Sequence, residues 1–216
     1  MSIGSHPVDG RPDGAPLARM LPDGYTPLPP GKIASVVVYL EMTERPPAHP
    51  RSRRTDLELH RLGRDDGARY RAIFRAVGER WLWFSRLASG DADLVAILGD
   101  PDLEAYEVRL RGDPIGLLEL DFRALPDCEL AFFGLVESAI GSGVGRALMD
   151  EALRKAWSRP IARLWVHTCH LDHPGAIAFY RRSGFRPYAH AIEIADDPRL
   201  TGLLPHTAGP HWPAIA

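Results

Sequence analysis

Apolar residues along this chain recur with a period of two in some segments and of about 3.6 in others. A Val- and Ile-rich run over residues 33–42 predicts a first strand, and an alternating run over 57–62 predicts a second. Later segments predict helices near 66–78 and 91–98, strands near 104–110, 114–122 and 128–136, a helix ending near 158, a strand at 162–168, a short helix after 173 and a strand at 185–194. After the first strand, the order βααβββαβαβ predicts a mixed α/β sheet covered by helices.

The two ends of the chain lack this periodicity. Residues 1–31 hold seven prolines and five glycines, which predicts an N-terminal arm rather than part of a core. Residues 32–198 are predicted to form a single domain that includes the extra first strand, and 199–216 to form a C-terminal tail. A chain of 216 residues with 45% hydrophobic content suits one well-packed domain.

Charge and composition narrow the classes of function. The net charge is −2, from 26 basic and 28 acidic residues, so neither nucleic acid nor an anionic membrane is an expected partner. Without a signal peptide or a long apolar run, the chain is expected to be cytoplasmic. Cys128 and Cys169 lie in predicted strands, where buried free thiols are expected.

Glycine occupies alternate positions between a predicted strand and a helix, at Gly141, Gly143 and Gly145. No Gly-Lys-Ser/Thr follows, and the spacing is tighter than that of a dinucleotide fingerprint. Such a turn leaves main-chain N–H groups free at the positive end of a helix, which favours a phosphorylated ligand. Glycine that only lets the chain turn remains the alternative.

A second segment, residues 172–185, predicts a short helix. Pro174 lies at its first turn, Gly184 follows its end, and Ala176, Phe179 and Tyr180 share one face. Together the two segments resemble GNAT-type N-acetyltransferases. The pyrophosphate loop of that family reads Gln/Arg-x-x-Gly-x-Gly/Ala, and its later element reads Asn-x-x-Ala-x-x-Phe/Leu-Tyr before Gly-Phe. Ile140 and His173 depart from these two patterns, and the resemblance covers roughly residues 56–195.

The resemblance implies a mostly antiparallel sheet with one parallel pair that splays around coenzyme A. Acetyl-CoA is then the acyl donor, held along strand 128–136. Gly134 is the expected bulge, which would free the N–H of Leu135 or Val136 for the thioester carbonyl; alternatively Gly134 only lets a side chain approach. The implied donor-binding residues are Leu135, Val136, Gly141, Ser142, Gly143, Val144, Gly145, Arg146, His173, Ala176 and Phe179.

Two residues are candidates for proton transfer. By its offset from the glycine loop, Glu129 resembles the base of the histone-acetylating branch and would take the amine proton, directly or through water. Tyr180 occupies the position of the family's general acid for the leaving thiolate. The alternatives are a surface carboxylate for Glu129 and a core aromatic for Tyr180.

The acceptor side is defined less well. Trp81, Trp83 and Phe84 fall in the predicted connection between the first two helices, where they would stack on an acceptor or enclose an amine, unless they belong to the core. Glu119 and Asp121 share a strand face and form a second candidate pair for proton transfer; alternatively they would bind a cationic substrate or remain solvated.

No metal is expected. Of His167, Cys169, His170 and His173, only the first two share a strand face, and no second cluster completes a set of four ligands. Attack by the amine itself on the thioester leaves no need for Cys169 as a nucleophile.

The leading hypothesis is transfer of an acetyl group from acetyl-CoA to the primary amine of a small molecule, within a ternary complex. Acetylation of a protein terminus or lysine and a non-catalytic acyl-CoA-binding module are the alternatives. The sequence leaves open a longer acyl donor and a homodimer.

Overall fold

The computed structural model describes residues 23–47 and 54–216. Most of the predicted N-terminal arm lies outside these residues. The strands are β1 (Lys32–Met42), β2 (Leu57–Leu62), β3 (Leu103–Leu110), β4 (Asp113–Asp121), β5 (Asp127–Leu135), β6 (Arg163–Cys169) and β7 (Arg186–Asp196). The helices are α1 (Gly67–Gly78), α2 (Ser85–Ala88), α3 (Asp91–Leu98), α4 (Val144–Ala156) and α5 (Ala176–Arg182).

The seven strands form one sheet in the order β2-β3-β4-β5-β6-β1-β7. Every neighbouring pair is antiparallel except β5 and β6, which are parallel. The predicted mixed sheet with one parallel pair is therefore confirmed. The extra strand β1 lies inside the sheet, between β6 and β7, a position that the sequence pattern did not indicate.

The parallel pair separates soon after it begins. Only Asp127–Glu129 of β5 pair with Arg163–Trp165 of β6. Beyond this point β5 continues to Leu135 along β4 alone. The register between β4 and β5 shifts so that Ala131 is the extra residue of a bulge, and a bulge bends its strand. The result is a gap in the middle of the sheet.

Two apolar layers hold this sheet. On one face, α1 and α3 contribute Tyr70, Phe74 and Leu94 to a cluster with Leu62 and Leu117. On the other, α4 buries one stripe against the sheet, because its apolar residues recur at three and four positions. That stripe comprises Val144, Ala147, Leu148, Met149, Ala152 and Leu153. Because α1 and α4 both contact β5, each layer places one helix beside the gap.

The C-terminal segment, residues 197–212, packs against the domain rather than forming a free tail. Arg199 and Asp197 make a buried ion pair at 2.7 Å, and Arg199 also donates to the carbonyl of Trp212 at 2.6 Å. Leu204 and Ala208 join the cluster under α1. Within residues 23–47 and 54–216, no helix is long and apolar enough to cross a membrane.

Candidate active site

A cleft of about 720 Å³ follows the gap between β5 and β6. Eight of the seventeen residues predicted from the sequence for the two substrates and the chemistry line it, and they come from three separate parts of the chain. The predicted residues that line it are Trp81, Trp83, Phe84, Glu129, Leu135, His173, Ala176 and Tyr180. Residues 141–146, Phe179, Glu119 and Val136 do not line it, and the places of Glu119 and Val136 correct the predicted site.

The glycine turn opens at one end of this region with its main chain exposed. Gly141 and Gly143 have φ values of 82° and 81°, the left-handed region in which a side chain is strained. A Cβ at either would meet no atom within 4 Å, so the turn leaves free space. Gly143 caps α4, whose first N–H groups have no intrahelical acceptor. Arg146 is exposed in the first turn.

Ser142 and Val144, the residues on either side of Gly143, are held by packing and hydrogen bonding. Val144 is fully buried, which anchors the start of α4. The Ser142 hydroxyl donates to the carbonyl of Ala139 at 2.6 Å and so closes the loop on itself. The loop is therefore rigid at its ends and open at its middle, as an anion site requires.

The N–H of Val136 is not available to a thioester. It donates to the carbonyl of Ile115 at 2.8 Å. Because amide directions alternate along a strand, the N–H of Leu135 points to the other side, toward the gap. Gly134 is not the bulge that the sequence predicted: a Cβ there would overlap Val77 and Trp83, so this glycine permits a close approach.

Glu129 lies where the strands begin to part, and its side chain is 16% exposed. Its Oε1 lies 3.2 Å from Nδ1 of His167, two residues beyond the last residue of β6 that pairs with β5. The sequence had weighed His167 only as a metal ligand. Within the described residues, no three His, Cys, Asp or Glu side chains are placed to hold a metal ion.

Tyr180 is buried among aromatic rings of β5 and α5. Phe133, Phe179 and Phe185 lie with ring centroids 5.8 to 6.3 Å from it. Burial, with a smaller effect of the Asp172 charge, raises the pKa of Tyr180 well above its usual value. The phenol therefore keeps its proton at neutral pH, as a general acid must.

Phe179 and His173 help to shape the donor side. Phe179 stacks on Phe133 at 5.6 Å and lies beside Gly145. His173 accepts the N–H of Gly175 on Nδ1 at 3.0 Å, which shapes the start of α5. Its exposed ring contacts Trp81 at 5.4 Å. The histidine thus links the start of α5 to the Glu79–Trp81 turn, a contact that the family pattern does not provide.

Glu119 is fully buried and neutralised, so it cannot bind a substrate. Its carboxylate accepts from the Tyr70 hydroxyl and from Nη2 of Arg86, each at 2.5 Å. Burial alone would lower the pKa of Arg86, but the Glu119 charge outweighs it and raises that pKa. These three residues are far apart in sequence, and no local pattern reveals their contact.

Trp83 is chiefly a packing residue. Its ring lies against Phe74 at 5.6 Å and Phe132 at 5.4 Å, and fills the space left by Gly78 and Gly134. Its Nε1 donates to Asp172 at 2.9 Å. One edge of the ring still reaches the cleft. The alternative of core burial therefore describes Trp83 better than an acceptor wall does.

Trp81 lies at the rim of the cleft. It ends a 3-10 turn (Glu79–Trp81) and is held between His173 and His211. Leu82 follows with φ of 56°, and its buried side chain packs where Gly209 has no Cβ. The C-terminal segment thus supports this strained backbone. The connection that the sequence predicted as a loop is a 3-10 turn followed by α2.

Asp172 is a further residue of this site that sequence reasoning did not assign. It accepts from Trp83 and also from the Thr168 hydroxyl and the Cys169 N–H, all at 2.9 Å. A single carboxylate therefore joins the acceptor loop, the end of β6 and the approach to α5. Its position just before the helix motif was the only signal in the sequence.

The sheet opens between two parallel strands, beside a glycine turn and its helix, which is the arrangement that the resemblance implied. The chain belongs to the GNAT acetyltransferase family: the family model for "Acetyltransferase (GNAT) family" matches residues 70–185, more than half of the 216 residues. Membership of this family implies N-acetyl transfer with acetyl-CoA as the donor.

Solved structures agree with this fold. A putative GNAT acetyltransferase from Novosphingobium aromaticivorans is 19% identical, with 77% of this chain and 67% of that chain covered and a TM-score of 0.52. A GCN5-related N-acetyltransferase from Kribbella flavida is 19% identical, with 80% of this chain and 63% of that chain covered and a TM-score of 0.50. An aminoglycoside acetyltransferase from an uncultured soil metagenomic sample is 15% identical, with 60% of this chain and 88% of that chain covered and a TM-score of 0.50.

At these identities the likeness extends to the fold alone. The chain spans less than two thirds of the length of the Kribbella flavida protein. No curated protein matches the chain.

Proposed function

We propose that this enzyme acetylates the primary amine of a cationic small molecule by direct attack on acetyl-CoA in a ternary complex. The observation that carries the proposal is the cleft itself, which has a donor side and an acceptor side that meet at the gap between β5 and β6. Such a shape lets both substrates bind before the reaction and brings the reacting atoms together.

The donor fits the residues on one side. The N–H groups of the turn around Gly143 would bind the pyrophosphate, with Arg146 close by. The unpaired edge of β5, which includes the N–H of Leu135, would pair with the pantetheine amides and polarise the thioester carbonyl. Tyr180 would return a proton to the leaving thiolate.

The charge of the cleft favours a cationic acceptor. Four carboxylates line it, from Asp121, Glu129, Asp172 and Glu193. Two arginines also line it, but Arg86 is bound to Glu119 and Arg123 to Asp121. The remaining acidic groups attract an ammonium ion and raise its local concentration.

The rim of the cleft favours a small molecule over a protein. Trp81 is fixed between His173 and His211, so the C-terminal segment borders the acceptor side. A bordered opening with aromatic surface suits a compact amine, whereas an extended peptide needs a continuous groove. Acetylation of a protein terminus or lysine is the alternative that the test must exclude.

A thiol-release screen tests the proposal. The enzyme and acetyl-CoA are mixed with polyamines, aminoglycosides, neutral amines, and peptides that carry a free terminus or lysine, and products are identified by mass spectrometry. Release without an amine gives the hydrolysis baseline. We expect the highest kcat/KM with a polycationic small amine, falling as salt is added. A peptide used more efficiently than every small amine would refute the proposed acceptor class.

A further inference from the structure

The imidazole of His167 lies where the two parallel strands separate. Trp165 on the same strand still pairs with Glu129, whereas His167 is the register partner of Tyr39 on β1. Residues two apart share a face, so His167 stands on the same side of the sheet as Glu129. It lines the cleft and keeps 27% of its side chain exposed, more than the 16% of Glu129.

Acidic groups from four elements face this ring. Glu129 of β5 lies 3.2 Å from Nδ1, Tyr39 of β1 lies with its ring centroid 6.1 Å away, and the charges of Asp172 after β6 and Glu193 on β7 act on it. Burial lowers the pKa of His167, but the contact with Glu129 and these charges outweigh burial and raise the pKa above its usual value. The imidazolium is therefore well stabilised.

We propose that His167 takes the proton of the attacking amine and that Glu129 is the positioning residue that orients its ring. This inference rests on the acetyl transfer proposed above. A hydrogen bond from Nδ1–H to a carboxylate fixes the tautomer, so that Nε2 carries the lone pair that accepts a proton. Imidazole is also the side chain whose ordinary pKa, about 6.5, lies closest to neutral pH, where a general base works best.

The step balances as a direct transfer. The amine nitrogen forms a bond to the thioester carbonyl carbon while its proton passes to Nε2 of His167. The carbon–sulfur bond then breaks, the electron pair leaves on sulfur, and the thiolate takes a proton from Tyr180 or water. Glu129 stabilises the imidazolium without itself taking the proton. Release of that proton to solvent restores the neutral ring.

The pH dependence of kcat/KM for the acceptor tests the two roles. The profile is measured with two acceptors whose amines differ in pKa. A limb that lies at the same pH with both acceptors reports a group on the enzyme rather than the amine. We expect this limb to rise with pH, since only the neutral ring accepts a proton. His167→Gln should lower the plateau by about a hundredfold and abolish the limb. Glu129→Gln should move the limb to lower pH, because it removes a carboxylate that favours the imidazolium.

His190→Gln is the matched control, because His190 is an exposed histidine on β7 that does not line the cleft. It should leave the profile unchanged. Coenzyme A affinity and Tm are measured for every variant, so that a folding defect is recognised. A His167→Gln enzyme that keeps its limb and its plateau would overturn the proposal and return the base to Glu129 or to water.

Histidine titration by NMR provides a readout besides turnover. The His167 signal, assigned by its loss in His167→Gln, should titrate above the usual range in the wild type and at lower pH in Glu129→Gln. An unchanged titration in Glu129→Gln would refute the dyad. If the wild type binds coenzyme A but acetylates no amine, the proposed function fails; if it acetylates amines and His167→Gln does so equally well, this inference alone fails.

Discussion

The donor side and the acceptor side of the cleft are built in different ways. The donor side consists of short continuous stretches, the turn around Gly143 with α4 and the approach to α5, and its polar groups are mostly main-chain N–H groups. The acceptor side combines residues 81–86 with α1, β4, the loop after β6 and the C-terminal segment. One side depends on local backbone shape and the other on contacts between distant residues.

This difference explains why the backbone shape of one side could be predicted from the sequence. A main-chain anion site needs glycines at fixed spacing before a helix, and spacing is visible in a sequence. An acceptor wall needs particular side chains to meet, and their meeting depends on how the sheet and helices pack. Substitutions of the packed residues on the acceptor side should therefore change stability first, and substitutions in the glycine turn should change binding first.

The largest effect is expected on the acceptor side, from Arg86→Met. It leaves the Glu119 carboxylate buried without its cation, and breaking a buried pair costs about 3–5 kcal/mol of unfolding free energy. Arg123→Met is the control, because its pair with Asp121 is partly exposed and is worth about 0–1 kcal/mol. Denaturant unfolding measures both. Equal losses would mean that the buried pair does not hold the acceptor side together.

On the donor side, Gly143→Val should weaken acetyl-CoA binding by about a hundredfold, or roughly 2.7 kcal/mol. A branched side chain would fill the open space in front of the main-chain N–H groups. Gly112→Val is the matched control: Gly112 has a similar left-handed φ of 91° and open surroundings, but lies in the turn between β3 and β4. Calorimetry should show weakened binding in the first variant only. An equal loss of acetyl-CoA affinity in both variants would mean that backbone strain alone caused the loss.

The smallest effect is expected from Trp81→Ala, and Trp83→Ala is its comparison variant. Trp81→Ala should raise the acceptor KM several-fold, with little change in Tm or in the acetyl-CoA KM, because its ring lies at the rim. Trp83→Ala should instead cost about 3–5 kcal/mol of stability, since its ring packs on Phe74 and Phe132. Steady-state kinetics and thermal unfolding are measured on both. If the Trp83→Ala enzyme were stable but had an altered acceptor preference, Trp83 rather than Trp81 would be the acceptor-binding residue.

The helices and strands predicted from the sequence agree best with the structure where they follow from a local pattern of apolar residues. The alternating strands and the apolar stripe of α4 were visible because burial on one face imposes a period. The bulge was placed at Gly134 although it occurs at Ala131, since a bulge follows from how two strands pair rather than from the residue itself. Glu119 looked like a surface carboxylate because its partners Tyr70 and Arg86 lie on other elements.

The sequence by itself determined the class of fold and the glycine turn before α4, because both follow from spacing along a continuous chain. Only the tertiary structure decided the place of β1 inside the sheet, the packing of the C-terminal segment against Leu82, and the contact between Glu129 and His167. Each of these depends on which distant segments become neighbours. That outcome is set by the packing of the whole core, and no single stretch of sequence encodes it.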